Sequence, residues 1–148
     1  MEVKELGHIV LYVRDLERSR RFYGDVLGWK EIGSGRDGAA MFSTGRTHHE
    51  LLLIEVGESA QDIPRGRRVG MYHFGLKVGT TDEELIEAIE EVQRADVTIV
   101  GSADHGVTHS LYIQDPDGNE VELYIDVQPE AWRDDPTAVL VPTRPLMI

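Results

Sequence analysis

The sequence predicts an α+β protein made of two tandem βαβββ modules, each a strand, a helix and three further strands. Three observations predict it. The pattern His8-Ile9-Val10-Leu11-Tyr12-Val13 returns 65 positions later as His73-Phe74-Gly75-Leu76-Lys77-Val78. Each copy runs into a helix-start signal followed by apolar residues at helical spacing. Each helix then gives way to short runs of strand character separated by Gly-, Asp- and Asn-bearing turns. A half-chain repeat predicts pseudo-symmetry, with equivalent positions meeting near the pseudo-axis.

In the first module, residues 6–13 alternate as a strand. Asp15 caps a helix whose apolar positions are Leu16, Tyr23, Val26 and Leu27, ended by Gly28. Residues 29–32 and 39–43 read as strands on either side of a Gly-rich loop, and residues 48–56 as a third, largely apolar one. A Gly-, Pro- and Arg-bearing linker follows, in which Arg65-Gly66-Arg67-Arg68 reads as a solvated loop. Residues 72–78 then start the second module. Thr81-Asp82-Glu83-Glu84 is a capping box before a helix with Leu85, Ile86, Ile89 and Val92 on one face. Strands are predicted at 98–101, 110–114 and 120–127. Between the last two, Asp115-Pro116-Asp117-Gly118-Asn119 has the chemistry of a tight turn. These spans define one domain over 1–148, with module one at 5–57, a linker at 58–70, module two at 71–127 and an arm at 128–148. The arm carries four prolines but also Trp132, Leu140, Leu146 and Met147, which favour packing over a free polar end.

Composition narrows the function. A 148-residue chain with 41% hydrophobic residues can build a core without covalent staples. No apolar run is long enough to span a bilayer and the start is no signal peptide, so no membrane partner and a cytoplasmic location are expected. The formal charge of −12 repels polyanions, which argues against nucleic acid. With no cysteine, any metal must be held by His and carboxylates.

Such residues are placed suggestively. His8 and His73 occupy equivalent positions in the repeat. Glu122 lies on the last strand of the second module, opposite in parity to Val121 and Leu123. Two imidazoles and one carboxylate on separate strands form the facial-triad ligand set, which leaves positions open for substrate and oxygen.

The chain resembles the vicinal oxygen chelate superfamily of glyoxalases, bleomycin resistance proteins and dioxygenases. The segments 7–16 and 21–28 match its first strand and helix. The run from Asp104-His105 through Leu111-Tyr112 and Asp115-Pro116 to Glu122 resembles the signature of extradiol ring-cleavage dioxygenases, as does His48-His49 before Leu51-Leu52-Leu53. The resemblance implies a curved mixed sheet around a metal-binding cleft, often in a dimer, so a homodimer is expected. It implies metal ligands His8, His73 and Glu122, with Fe(II) as the metal and Mn, Ni or Zn as alternatives. It also implies His49 as an acid/base beside the oxygen site, His105 as a hydrogen-bonding partner of the substrate's oxygen, and Tyr112 as a positioning residue. The implied activity is Fe(II)-dependent extradiol cleavage of a catechol-like aromatic by O2, a step of aromatic catabolism.

Glu50 opens an alternative. The glyoxalase branch uses a fourth ligand, a Glu on the last strand of the first module. Strand parity puts His48 and Glu50 on one face and His49 and Leu51 on the other. If Glu50 faces the metal, a lyase or isomerase using Ni or Zn follows; if His49 does, the dioxygenase reading follows and is the one favoured. A third possibility is a metal-free drug-binding resistance protein, a class that typically lacks the ligand set.

Overall fold

A computed structural model describes all 148 residues. It divides into two compact units, Met1–Ile63 and Pro64–Ile148. Each holds one four-stranded mixed sheet, so the α+β prediction holds.

The first unit contains β1 (Ile9–Val13), α1 (Leu16–Arg20), β2 (Glu31–Gly33), β3 (Ala39–Phe42) and β4 (Leu51–Glu55). The sheet order is β1-β4-β3-β2, with β1 parallel to β4 and the other pairs antiparallel. Alternation along β4 buries Leu51 and Leu53, which join Val13, Phe42 and Tyr23 in the core. Asp15 caps α1 by accepting from Arg18 N at 2.9 Å. The predicted single helix is instead α-helical only to Arg20. Residues Arg21–Val26 form wider π-type turns, with Leu27 N bonded to Phe22 O, which sets buried Phe22 and Tyr23 edge to face. All four strands are shorter than predicted, β1 and β4 most of all. The first inter-strand bond of β1 is Ile9 N to Glu50 O, so His8 stands just before the strand. His48, His49 and Glu50 precede β4.

The second unit contains β5 (His73–Gly79), α2 (Asp82–Arg94), β6 (Ile99–Asp104), β7 (Thr108–Gln114) and β8 (Glu120–Asp126), then α3 (Pro129–Asp134) and a 3-10 turn at Pro136–Val139. Its order, β5-β8-β7-β6 with β5 parallel to β8, repeats that of the first sheet. The capping box of α2 is complete: Glu84 N donates to Thr81 Oγ1, and Thr81 N donates to Glu84 Oε2. Leu85 and Val92 of α2 are buried with Val121, Leu123 and Ile125 of β8, which leaves Glu120, Glu122 and Tyr124 on the opposite face. No helix is long and apolar enough to cross a membrane.

The turn between β7 and β8 fixes where Glu122 stands. Asp115 is buried and accepts from Asp117 N (2.9 Å), Asn119 N (2.8 Å) and Asn119 Nδ2 (2.8 Å). Gly118, with φ of +88°, lets the chain reverse. Asp115→Ala strands these donors, so we expect it to lower unfolding stability by about 2–3 kcal/mol. A denaturant titration checks this, and a loss under about 0.5 kcal/mol would show that the turn is held by other means.

Candidate functional site

In the second unit, the open face of the sheet gathers four of the predicted residues. β5 starts at His73, whose register partner is Glu120, and Gly75 pairs with Glu122. On the other side Tyr112 pairs with Glu122, and Ser110 with Tyr124. The Glu122 carboxylate is thereby shared. Ser110 Oγ donates to Oε1 at 2.6 Å and Tyr112 Oη lies 3.4 Å from the same atom, while Oε2 is 3.3 Å from His73 Nε2. One oxygen is held by the protein and the other faces an imidazole nitrogen.

Gly75 keeps this space open. A Cβ there would meet Glu122 Oε2 and the Tyr124 ring, each at 3.3 Å. His73 Nδ1 is buried without a hydrogen bond; Glu120 Oε1 lies 3.4 Å from it, outside bonding geometry. Carboxylates thus lie on both sides of the imidazole, Glu120 at Nδ1 and Glu122 at Nε2.

The chain of contacts continues outward. His105 Nε2 is 2.7 Å from Tyr112 Oη, and His105 Nδ1 is 3.1 Å from Thr143 Oγ1 in the arm. Burial first, and then the charge and hydrogen bond of Glu122, push the Tyr112 hydroxyl up to about 12. Tyr112 therefore stays protonated at neutral pH and remains a donor.

In the first unit the predicted residues form an imidazole cluster. The rings of His8 and His49 are 4.5 Å apart, as are those of His48 and His49, and the Nδ1 atoms of His48 and His49 approach to 2.6 Å. His49 Nε2 is buried without a partner. Burial first, then His48 and His8, lower the pKa of His49, so it is neutral and able to accept a proton at pH 7.

Glu50 is held by the turn that precedes it. It accepts from Thr44 N (2.8 Å), Thr47 N (3.1 Å) and Thr44 Oγ1 (3.3 Å), and Arg46 Nε lies 3.7 Å away. It closes the 43–47 turn just before β4, while its backbone already bonds to both neighbouring strands, with Glu50 N donating to Phe42 O (3.0 Å) and Ile9 N to Glu50 O (2.8 Å). Burial is the largest single influence and raises its pKa, but the amides of Thr44 and Thr47 with the hydroxyls of Ser43 and Thr44 together outweigh it. The folded-state pKa is depressed. Its stabilisation is therefore present above the unfolded value, about 4.3, and lost as pH falls through the folded value. Glu50→Gln is expected to lower stability at pH 7 by about 1.5–3 kcal/mol, with the difference from the parent shrinking as pH drops below about 4. Equal stabilities at pH 7 would refute this structural role.

Comparing the two registers locates the true counterpart of Glu122. Val10 pairs with Leu52 in the first sheet as Gly75 pairs with Glu122 in the second. Val10 and Gly75 are 65 positions apart in the repeat, so their register partners Leu52 and Glu122 are equivalent, and Glu50 falls at the position of Glu120. Within either unit, no three His, Asp or Glu side chains converge to hold an ion; the second unit supplies the pair His73 and Glu122.

Some participants were missed by sequence reasoning. Ser110 and Glu120 share parity with Tyr112 and Glu122, so alternation alone could have found them. Thr143 sits in an aperiodic segment that carries no signal. His109, of the opposite parity, pairs with Asp82 at 2.6 Å and ties β7 to the start of α2.

Repeat, registers and residues have a common explanation. The chain belongs to the Glyoxalase/Bleomycin resistance protein/Dioxygenase superfamily, which it matches over residues 5–123. It is 31% identical over 134 residues to a catechol-2,3-dioxygenase of Bacillus subtilis (strain 168), covering 90% of this chain and 46% of that protein. The chain thus spans about half the length of that relative. It is 30% identical over 127 residues to a lactoylglutathione lyase of Neisseria meningitidis serogroup A, covering 80% of this chain and 88% of the lyase. The crystal structure of a glyoxalase/dioxygenase from Nostoc punctiforme shares the fold, with a TM-score of 0.69 at 22% identity over 84% of this chain and 92% of that one. Relatives of different activity share this scaffold, so the site residues must carry the distinction.

Proposed function

We propose that the chain is an Fe(II)-dependent extradiol-type dioxygenase module that cleaves a catechol-like aromatic with O2, with His8, His73 and Glu122 as the metal ligands. The observation that carries this reading is the hydrogen-bonded series His105–Tyr112–Glu122, ending at the Glu122 oxygen that faces His73 Nε2. These donor types suit a divalent ion: two imidazole nitrogens and one carboxylate oxygen, with the second oxygen already satisfied by Ser110.

When bound, Fe(II) would lower the pKa of a catechol hydroxyl and bring ring and oxidant together. The protein's own residues do the rest. Tyr112, kept protonated, donates to a substrate oxygen or to Glu122. His105 Nε2 lies beside it, with its tautomer set by what Thr143 offers to Nδ1. His49, neutral and unpartnered at Nε2, takes a proton and returns it. Cleaving the ring bond beside the diol puts both oxygen atoms into a ring-opened semialdehyde-type acid.

Two observations count against a four-ligand lyase. Glu50 is committed to its own turn, and Leu52 stands at the position equivalent to Glu122. A metal-free binding protein would not need the Glu122 arrangement. Anaerobically iron-loaded protein is expected to consume O2 and turn a catechol panel yellow. Isomerisation of methylglyoxal–thiol adducts, with no turnover of any catechol, would overturn the proposal.

A further inference from the structure

We propose that the arm builds a subsite for the substrate's ring substituent: Trp132 and Val139 wall a cavity beside Glu122 that accepts a short, uncharged alkyl group on a catechol. This names the substrate class of the dioxygenase reading above and rests on it.

The cavity lies entirely in the second unit, on the open face of β8, and measures about 320 Å³. That is at the small end of ligand pockets, and the cavity is open to solvent on one side. It is lined by Glu122, Tyr124 and Asp126 of β8, by Val107 and Thr108 next to them, and by Trp132 and Val139 of the arm. A ring placed with its oxygens at Glu122 has its substituent in this cavity, where Trp132 and Val139 supply apolar surface.

The charges there select against an anionic substituent. Glu122 and Asp126 are both carboxylates, and the nearby cation, Lys77, is already engaged with Asp126. Arg133 sits over the Trp132 ring at 5.2 Å and 3.8 Å from Glu130, on the rim. The rest of the lining is the apolar surface of Val107, Trp132 and Val139 with the uncharged Thr108 and Tyr124, so the cavity holds no free cation for an anionic group.

The arm is anchored at both ends of this wall. Gln128, with φ of +104°, turns the chain from β8 into α3; a non-glycine residue there costs of order 1–3 kcal/mol and persists only when its surroundings enforce it. Beyond Val139, Asp104 and Arg144 exchange backbone bonds of 2.9 and 2.8 Å, and Thr143 meets His105. The same segment that walls the cavity also touches the histidine predicted to contact substrate.

Binding is measured calorimetrically under anaerobic conditions on the Fe(II)-loaded full chain, with catechol, 4-propylcatechol and the similarly sized anion 3,4-dihydroxyphenylacetate. The parent is expected to bind the propyl compound about 10-fold or more tighter than the acid. Val139→Trp, at a half-exposed position, fills the cavity and should weaken the propyl compound about 10-fold while leaving catechol within about 2-fold. Trp132→Ala removes the aromatic wall and should weaken it by several-fold, again sparing catechol. Equal changes for all three compounds, no change in either variant, parity between propyl and acid, or no binding of the propyl compound would overturn the subsite. Selective binding without O2 consumption would retain the subsite and refute the dioxygenase reading instead.

Discussion

Replacing Glu122 by Ala is expected to cost at least about 100-fold in metal affinity, more than the loss typical of an outer-shell partner, while the protein stays folded. Its two oxygens have separate duties. Oε1 accepts from Ser110 at 2.6 Å, which locks the carboxylate's orientation, and Oε2 faces His73 Nε2 at 3.3 Å. Removing it takes away both the anionic donor and the reason His73 has a companion. The structural cost is limited, because the side chain is 17% exposed and leaves no sealed cavity. The buried Ser110 hydroxyl loses its acceptor, a penalty of about 1–3 kcal/mol that a melting curve will read. Glu122→Gln separates charge from shape: it keeps a carbonyl for Ser110 and should still lose most of the affinity. Competition against a chelator gives the constants. Parent-like affinity in both variants would remove Glu122 from the ligand set.

His49→Ala is expected to lower turnover of a responsive catechol by about 10²- to 10⁴-fold, the range for losing a general acid/base, with bound metal unchanged. Three features of its surroundings support that proposed role. Its Nε2 is buried with no partner, its neighbours His8 and His48 disfavour its charged form, and Glu50 is turned into the 43–47 turn. Paired measurement with Glu50→Gln makes the test sharp. If the Glu50 variant loses metal while the His49 variant keeps full turnover, the roles assigned to these two adjacent residues are reversed and the lyase donor set is restored.

Most of the sheet architecture was legible in the sequence because it follows from short-range rules. The repeat of His8–Val13 in His73–Val78, the Thr81/Glu84 box and the 115–119 turn each name their own geometry. Alternation on β8 was enough to send Glu122 to the face opposite Val121 and Leu123. What was not legible depends on partners distant in the chain. β4 starts at Leu51, and just before it Glu50 closes a turn through Thr44 and Thr47, a preference that the strand-like composition of 48–56 conceals. The π-type turns at Arg21–Val26 arise from burying Phe22 and Tyr23 together, and helical spacing alone does not distinguish them from α-helix. The arm's α3, its bridge to Asp104 and Thr143's contact with His105 are set by the surface they cover.

The pairing of Val10 with Leu52, matched to that of Gly75 with Glu122, bears on how such a scaffold diversifies. An aliphatic side chain at 52 leaves the first half of the duplicated architecture one acid short of the second. Leu52→Glu would add the missing acid at a half-exposed β4 position, with neither sheet rebuilt.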